Sequence, residues 1–362
     1  MQRILISPSK FIQGKNAIHQ LTTILKEYGS KALLVSSDVD LQYVSADIDI
    51  AQEVCDFPLV KTSFKGECSK KEISRLQALA IYSNCDVIIG LGGGKSLDTA
   101  KAIAHHENLP VIIVTTIAST DAPCSSLAVI YTEEGAFEEY IYFKSNPNLV
   151  LVDSQVIANA PVRFLVSGMG DALSTFFEAR ACERSNANNI PGGKSTKLAI
   201  AAAKLCYETL LEDSVKAKAA CEAKVVTKAL ENIIEANILL SGLGFESSGL
   251  AAAHAVHNGL TALEETHHCY HGEKVAFGVI VHLILENAPQ EELETVLDYC
   301  HLVGLPTTLK ALGVTSATEE KIMAVSKLAC AEGESIHNMP FEVTPDDVYA
   351  AICTANILGE VL

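Results

Sequence analysis

The fold is indicated by one stretch of the chain, Asp86-Val-Ile-Ile-Gly90-Leu-Gly92-Gly93-Gly94-Lys95-Ser96-Leu-Asp98-Thr-Ala-Lys101. An apolar run leads through three consecutive glycines into a pattern with the helical period. Glycines let phosphate oxygens approach backbone N–H groups, and the start of a helix adds the positive end of its dipole. The stretch therefore predicts a strand, a phosphate-binding turn and a helix. The alternative is a tight turn that uses glycine only for its freedom in φ.

Two standard nucleotide motifs do not describe this turn. A P-loop needs a glycine five positions before Gly94, where the chain has Ile89. A dinucleotide fingerprint that begins at Gly90 needs glycine or alanine where the chain has Lys95. The turn thus predicts phosphate binding by a different pattern.

Outward from this unit, apolar runs alternate with helical patterns up to about residue 155. Continuous apolar runs indicate strands buried on both faces, as in a parallel sheet covered by helices. The predicted strands are 32–36, 87–91, 111–115 and 148–152, the predicted helices are 15–28, 69–83 and 96–106, and the predicted hairpin joins 126–132 to 138–143. This pattern predicts an α/β domain.

After Pro161 the sequence changes to alanine-rich helical patterns, and strand-like runs almost disappear. The predicted helices are 171–184, 195–212, 215–240, 247–265, 274–286, 291–302, 319–331 and 345–357. Turn-forming residues accumulate at Ile157-Ala-Asn-Ala-Pro161. We therefore expect an α/β domain over residues 1–160 and an all-helical domain over residues 161–362.

Composition narrows the class of protein. The formal charge of −17, from 44 acidic and 27 basic residues, argues against broad attraction to nucleic acid or an anionic membrane surface. No apolar run reaches transmembrane length, and no signal-peptide pattern opens the sequence. Eleven cysteines without a Cys-x-x-Cys pair indicate reduced thiols. These features predict a cytoplasmic protein.

Two further segments follow predicted strands, where a parallel sheet binds its ligand. Asp38 comes after Val35-Ser-Ser37, and an acid there can bond the ribose hydroxyls of NAD and repel the 2′-phosphate of NADP. A solvated turn or a helix cap is the alternative for Asp38. The segment Thr115–Leu127 is rich in hydroxyl groups, which suit a ligand crevice but are also ordinary turn chemistry.

Histidines and an aspartate in the second half suggest a metal. Asp171, His254 and His271 would form a cage of two nitrogens and one oxygen. Three protein ligands leave one coordination position open, which is typical of a catalytic zinc-type site. The chain has more histidines than such a site requires, so histidine density alone does not establish it.

Four blocks of the sequence resemble the glycerol dehydrogenases, a branch of the metal-dependent, iron-containing-like alcohol dehydrogenases. The blocks are Gly92-Gly-Gly-Lys95-Ser-Leu-Asp98, Thr115-Thr-Ile-Ala-Ser119-Thr-Asp121-Ala-Pro123, Gly168-Met-Gly170-Asp171-Ala-Leu, and Ala253-His254 with His271-Gly-Glu273. Their order is specific, and the resemblance covers essentially the full length. It implies an active site in the cleft between the two domains, and large homo-oligomers, often octamers.

The resemblance also implies roles for individual residues. Asp171, His254 and His271 correspond to zinc ligands, one ion per chain, and Asp121 to a substrate contact. The NAD contacts implied are Asp38, Gly94, Lys95, Thr116, Ser119, Ser125, Leu127 and Tyr131. We add Gly92, Gly93, Asp98 and Thr115 from the same blocks as candidate cofactor contacts.

One departure from the superfamily bears on the metal. Iron-type members carry a fourth ligand, a histidine four residues after the ligand aspartate, where this chain has Thr175. Two histidines and one carboxylate suit zinc with an open position, although the ligand set also admits Fe²⁺ or Mn²⁺.

These observations predict NAD-dependent oxidation of a small polyol, most simply glycerol to dihydroxyacetone. The first alternative is a relative that acts on a phosphorylated substrate, such as a glycerol-1-phosphate dehydrogenase or a dehydroquinate synthase. The segments around the candidate site are poor in Lys and Arg, which argues against it. The second alternative, an inactive metal- or nucleotide-binding protein, would be expected to have lost a ligand.

Overall fold

A computed structural model of the protein describes residues 2–361. These residues form two compact units. One unit contains Ser7–Pro161 and Ala220–Glu231, and the other contains residues 2–6, 162–219 and 232–361. A short segment from the second half of the chain thus folds with the N-terminal unit, and a few N-terminal residues fold with the helical unit.

The first unit is built on a six-stranded parallel sheet with the strand order β1-β8-β5-β4-β2-β3. A separate antiparallel hairpin joins β6 to β7. The strands are β1 Phe11–Gly14, β2 Ala32–Ser36, β3 Leu59–Ser63, β4 Val87–Gly92, β5 Val111–Thr115, β6 Leu127–Tyr131, β7 Phe137–Tyr142 and β8 Leu149–Asp153. The helices are α1 Leu21–Leu25, α2 Asp38–Tyr43, α3 Ser45–Val54, α4 Lys70–Tyr82, α5 Gly94–Glu107 and α6 Ser154–Asn159.

The predicted strands and the hairpin are confirmed. Every residue of the four central strands β2, β4, β5 and β8 is buried, as expected for strands covered on both faces. The edge strands β1 and β3 were not predicted from sequence. They are only partly buried, and β3 carries the exposed Lys61, so neither shows a continuous apolar run. The predicted helix 15–28 forms a 3₁₀ turn over Ala17–Gln20 followed by the short α1.

From Val162 onward the named elements are helical, which confirms the predicted class. They are α7 Val162–Ser185, α8 Lys197–Glu222, α9 Lys228–Glu235, α10 Ser241–Ser248, α11 Ala252–Leu260, α12 His271–Leu285, α13 Gln290–Val303, α14 Glu319–Ala329 and α15 Pro345–Val361. A π-helical turn over Ala236–Leu240 joins α9 to α10. The predicted helix 215–240 is therefore wrong in its bounds, because α8 continues to Glu222 and a new helix begins at Lys228.

Helix α12 is the central element of the second unit. It packs against α7, α11 and α15, and all but a few of its residues are buried. Within residues 2–361, no helix combines the length and the apolarity needed to cross a bilayer.

Candidate metal centre and nucleotide site

In the first unit, the candidate nucleotide contacts lie at the carboxyl ends of three neighbouring strands. In the sheet, β3 lies beside β2 on one side of the β2–β4 pair, and β5 lies beside β4 on the other. The connections from β2 to β3 and from β4 to β5 therefore run in opposite directions, which makes the gap between β2 and β4 a topological switch point. Ligands of open α/β sheets bind at such a switch point. Asp38 follows β2, the glycine turn follows β4 and Thr116 follows β5. The sheet therefore gathers these residues at the edge where a nucleotide is expected.

Gly92 and Gly94 of the glycine turn differ in why a residue without a side chain is found there. Gly92 has φ of 130°, a conformation that favours glycine, and a Cβ there would lie 2.8 Å from Asp40 Oδ2. Gly94 is the first residue of the 14-residue helix α5, and among the described residues nothing lies within 4 Å of a Cβ built on it. Packing therefore does not explain the glycine at position 94. Open space above a helix start favours a phosphate-binding turn over a purely structural one.

Asp38 and its neighbour Asp40 have different roles. Asp38 is the exposed first residue of α2. Asp40 accepts hydrogen bonds from Thr116 Oγ1 at 2.9 Å and from Ser37 Oγ at 2.6 Å. It thereby ties the end of β2 to the end of β5 beside Gly92. This role of Asp40 is not visible in the sequence, because a second acid two residues into a helix is usually only a favourable charge at its N-terminus.

The candidate contact Asp98 is buried and bonded within the protein. Its carboxylate accepts from Lys101 Nζ at 3.0 Å and from the Val129 N–H at 3.0 Å. Burial raises the pKa of Asp98, although Lys101 and the Val129 N–H act in the opposite direction. These contacts connect helix α5 to strand β6.

Lys101 was missed from the sequence, although it organises the loop after β5. It is 2% exposed, and besides Asp98 its ammonium has three oxygens within hydrogen-bond distance, the Ala122 carbonyl at 2.6 Å, Ser125 Oγ at 3.1 Å and the Leu127 carbonyl at 3.0 Å. The signal available in the sequence was an aspartate and a lysine three residues apart on one helix face.

The remaining candidates lie around this loop. Lys95 is exposed, pairs with Glu67 at 2.7 Å and lies 5.0 Å from the centre of the Tyr131 ring. Burial raises the pKa of Tyr131 to about 12, so its phenol stays protonated. Thr115 donates to the Ile117 carbonyl at 2.6 Å, whereas Ser119 and Asp121 are half-buried in the turn that follows β5.

In the second unit, the predicted metal ligands come together. Asp171 of α7, His254 of α11 and His271 at the start of α12 each offer one ligand atom, and these atoms all lie within 4.8 Å of one another. Asp171 Oδ1 is 3.1 Å from His271 Nε2 and 3.4 Å from His254 Nε2. Tetrahedral ligands at about 2.0–2.1 Å from a zinc ion are about 3.3 Å apart. The three donors therefore fit a metal of this size.

Small residues beside the ligands allow the helices to approach. A Cβ at Gly272 would lie 1.8 Å from the Ser167 carbonyl oxygen, and one at Gly170 would lie 2.3 Å from the Gly272 carbonyl oxygen. Helices α7 and α12 thus cross in backbone contact next to Asp171 and His271. The glycines in the two sequence blocks are explained by this crossing, which sets the spacing of the two ligands.

The start of α12 is fixed by an ion pair. Glu273 accepts from Arg163 Nε at 2.6 Å and from Arg163 Nη2 at 2.8 Å, and it also accepts the Tyr270 N–H at 2.7 Å. The Arg163 guanidinium lies 4.5 Å from the centre of the Tyr270 ring. These contacts hold the helix end that carries His271.

The electrostatics of the cluster suit a cation. Burial alone would raise the pKa of Asp171, but His271 and His254 outweigh it and hold that pKa well below its ordinary value. The carboxylate is therefore ionised. Burial, together with the neighbouring His271, lowers the pKa of His257 well below its ordinary value. The His257 ring packs edge-on against the His271 ring, with centres 4.2 Å apart, and is neutral there.

Thr175 lies one helical turn after Asp171 and is buried. Its hydroxyl is 2.9 Å from Ser241 Oγ, and its methyl group packs beside Gly244. A threonine in this position supplies no imidazole nitrogen, which leaves the cluster with the three donors expected from sequence.

Known proteins share this architecture. Residues 8–154 match the family described as iron-containing alcohol dehydrogenase. The chain is 52% identical over 360 residues to a glycerol dehydrogenase from Citrobacter freundii, with 99% of each chain covered. It is 44% identical over 359 residues to a glycolaldehyde reductase from Halobacterium salinarum, covering 99% of this chain and 98% of that one. A crystal structure of a probable glycerol dehydrogenase from Sinorhizobium meliloti matches with a TM-score of 0.93 and 43% identity, covering 100% of both chains.

The fold and the similarities define an oxidoreductase of the iron-containing alcohol dehydrogenase class. Within that class, the chain belongs to the glycerol dehydrogenase family. The resemblance inferred from the four sequence blocks is confirmed.

Proposed function

We propose that the protein oxidises glycerol to dihydroxyacetone, with NAD as the hydride acceptor and one zinc ion per chain. The observation that carries the proposal is the cluster of Asp171, His254 and His271, whose donor spacing fits a divalent metal. Similarity over the full length to a glycerol dehydrogenase supports the choice of substrate.

When bound, the metal supplies a Lewis acid that lowers the pKa of the reacting hydroxyl, and NAD supplies the acceptor for the hydride. The protein's own residues orient the reactants. Asp171 is ionised and buried, and it would contribute the negative charge that favours a cation. The imidazoles of His254 and His271 would supply the two nitrogen ligands. As ligands, these three residues would leave one coordination position of the metal open.

For the cofactor, we propose that Gly92, Gly93 and Gly94 receive the phosphates at the start of α5. Other direct contacts are proposed from the strand ends and the loop: Asp38, Lys95, Thr115, Thr116, Ser119, Ser125, Leu127 and Tyr131. The gathering of these residues at the topological switch point supports the assignment. For Asp98 we propose a supporting role instead, because its oxygens already accept from Lys101 and Val129.

Zinc is proposed over iron because Thr175 stands where iron-type enzymes have a histidine. The packing of Thr175 against Ser241 and Gly244 supports this choice, since a larger ring at that position would have to displace both.

The cofactor preference gives a first prediction. Asp38→Gly is expected to weaken NAD binding by about 10-fold, the loss of one charge-assisted hydrogen bond, and to relax discrimination against NADP. The measurement is kcat/KM for both cofactors. Asp49→Gly, at an exposed acid elsewhere in the same unit, serves as the control. Equal NADP-to-NAD ratios before and after the change at position 38 would remove Asp38 from the site.

Recognition of the glycerol hydroxyl next to the reacting one gives another prediction. A metal alone would accept simple alcohols equally well, and Asp121, in the turn after β5, is our candidate for reading the neighbouring hydroxyl. Asp121→Ala should cost on the order of 1.5–3 kcal/mol of transition-state stabilisation for glycerol and much less for 2-propanol. Equal losses of kcat/KM for the two alcohols would assign Asp121 to the loop or the cofactor.

The overall proposal is tested by metal analysis together with a substrate panel. Purified protein is expected to contain one zinc per chain and to reduce NAD with glycerol. Glycerol 1-phosphate tests the phosphorylated-substrate alternative, and glycolaldehyde with NADH tests the activity named for the Halobacterium salinarum relative. Binding of metal and NADH without turnover on any polyol would favour the inactive protein, and a clear preference for glycerol 1-phosphate would overturn glycerol as substrate.

We further propose a cytoplasmic homo-oligomer, an octamer by analogy with the family, with an NAD-binding domain over residues 1–160 and a metal-binding domain over residues 161–362. No disulfide bond joins any of the eleven cysteines within residues 2–361, which supports a reducing compartment. Placement of the active site between the domains stays a prediction.

A further inference from the structure

A buried carboxylate contacts the ring nitrogen of a proposed metal ligand that is not directed at the metal cluster. Glu178 lies on α7, two turns after Asp171, and is fully buried. Its Oε2 is 2.6 Å from His254 Nδ1. Its Oε1 accepts the backbone N–H groups of Ala251 at 2.8 Å and of His254 at 3.0 Å. Both carboxylate oxygens are therefore engaged at the start of helix α11.

These contacts determine which ring nitrogen carries the proton. An ionised carboxylate can only accept, so His254 Nδ1 must donate its hydrogen to Oε2. In the neutral imidazole the other nitrogen, Nε2, then presents its lone pair. Nε2 is the atom that lies 3.4 Å from Asp171 Oδ1, on the side of the metal cluster.

We propose that Glu178 is a positioning residue for the metal centre, which fixes the tautomer and the orientation of the His254 ring. The inference rests on the proposed metal-dependent function. Metal-ligating histidines commonly donate their second N–H to a carboxylate, and loss of that partner typically weakens metal binding by 10- to 100-fold. No substrate or cofactor contact is assigned to Glu178.

In a purely structural role, Glu178 would only accept the backbone N–H groups at the start of α11. The variant Glu178→Gln separates that role from the proposed positioning of His254. The glutamine oxygen must stay with the two backbone N–H donors, so its NH₂ group faces His254 Nδ1. Nδ1 then becomes an acceptor, and the proton moves to Nε2, where it opposes a metal. The support for the helix start is preserved while the tautomer is reversed.

The test is zinc affinity, measured by chelator competition on full-length protein without substrate. We expect Glu178→Gln to raise the Kd for zinc by 10- to 100-fold while circular dichroism shows that the fold is retained. Glu292→Gln is the matched control. It removes a carboxylate that pairs with Arg180, which lies on α7 as Glu178 does, and it should leave zinc affinity unchanged.

An unchanged zinc Kd in Glu178→Gln would overturn the inference while the proposed function stands. A wild-type protein that binds no zinc would overturn the proposed function itself. If the variant does not fold, the zinc-loaded wild type decides the question by ¹⁵N histidine NMR. A His254 signal with Nδ1 protonated supports the inference, and one with Nε2 protonated overturns it.

Discussion

Replacing His271 by alanine is expected to remove bound zinc and to lower kcat/KM for glycerol by about 10³-fold or more. Loss of one of three ligands forfeits several kcal/mol of charge stabilisation, and each ~1.4 kcal/mol corresponds to a factor of ten. The His271 side chain is 36% exposed, so its truncation leaves little cavity and the fold should persist. Elemental analysis, circular dichroism and steady-state kinetics on the same preparation measure all three consequences.

His267→Ala is the matched control. His267 is four residues away and exposed, and its Nε2 lies 2.9 Å from the Thr261 carbonyl oxygen, outside the metal cluster. It should retain zinc and turnover. If His271→Ala kept full metal content and activity, the cluster would not be the catalytic centre.

Placing a branched side chain at Gly94 is expected to raise the KM for NAD by about 10²-fold. Valine there would occupy the open space at the start of α5, where phosphate oxygens are proposed to reach the backbone. Loss of two charge-assisted hydrogen bonds, at about 1.5–3 kcal/mol each, accounts for at least this factor. Zinc content should not change, because Gly94 and the metal ligands belong to different units.

Gly14→Val controls for the substitution itself. Gly14 also has open space around a Cβ among the described residues, but it ends the edge strand β1. It should leave the KM for NAD near the wild-type value. Wild-type cofactor kinetics in Gly94→Val would assign the three glycines to a structural turn.

Local patterns predicted much of the fold because they report burial directly. Strands β2, β4, β5 and β8 are buried on both faces, and each is a continuous apolar run in the sequence. The edge strands β1 and β3 are not continuous apolar runs, because each has a neighbouring strand on one side only and is therefore less buried. Helix bounds were less predictable, and 215–240 was wrong because no apolar pattern marks the interruption between Glu222 and Lys228.

Residue type and spacing also identified the candidate site, but they did not show how its parts are held. Asp98 was predicted to contact the cofactor, and only the structure shows that its carboxylate accepts from Lys101 and from the Val129 N–H of strand β6. Glu178 carried no signal at all, because a glutamate on an alanine-rich helix is usually solvated. Its burial against His254 depends on a helix distant in sequence.

The sequence by itself determined the order of an α/β part and a helical part, the glycine turn after a buried strand, and the chemical identity of the three candidate metal donors. These properties depend on local hydrophobic period, backbone freedom and side-chain chemistry. Only the tertiary structure decided that Asp171, His254 and His271 meet with a spacing that fits a metal, and that Glu178 Oε2 lies 2.6 Å from His254 Nδ1. Such distances depend on how closely α7, α11 and α12 cross, which is set by packing between segments far apart in the chain.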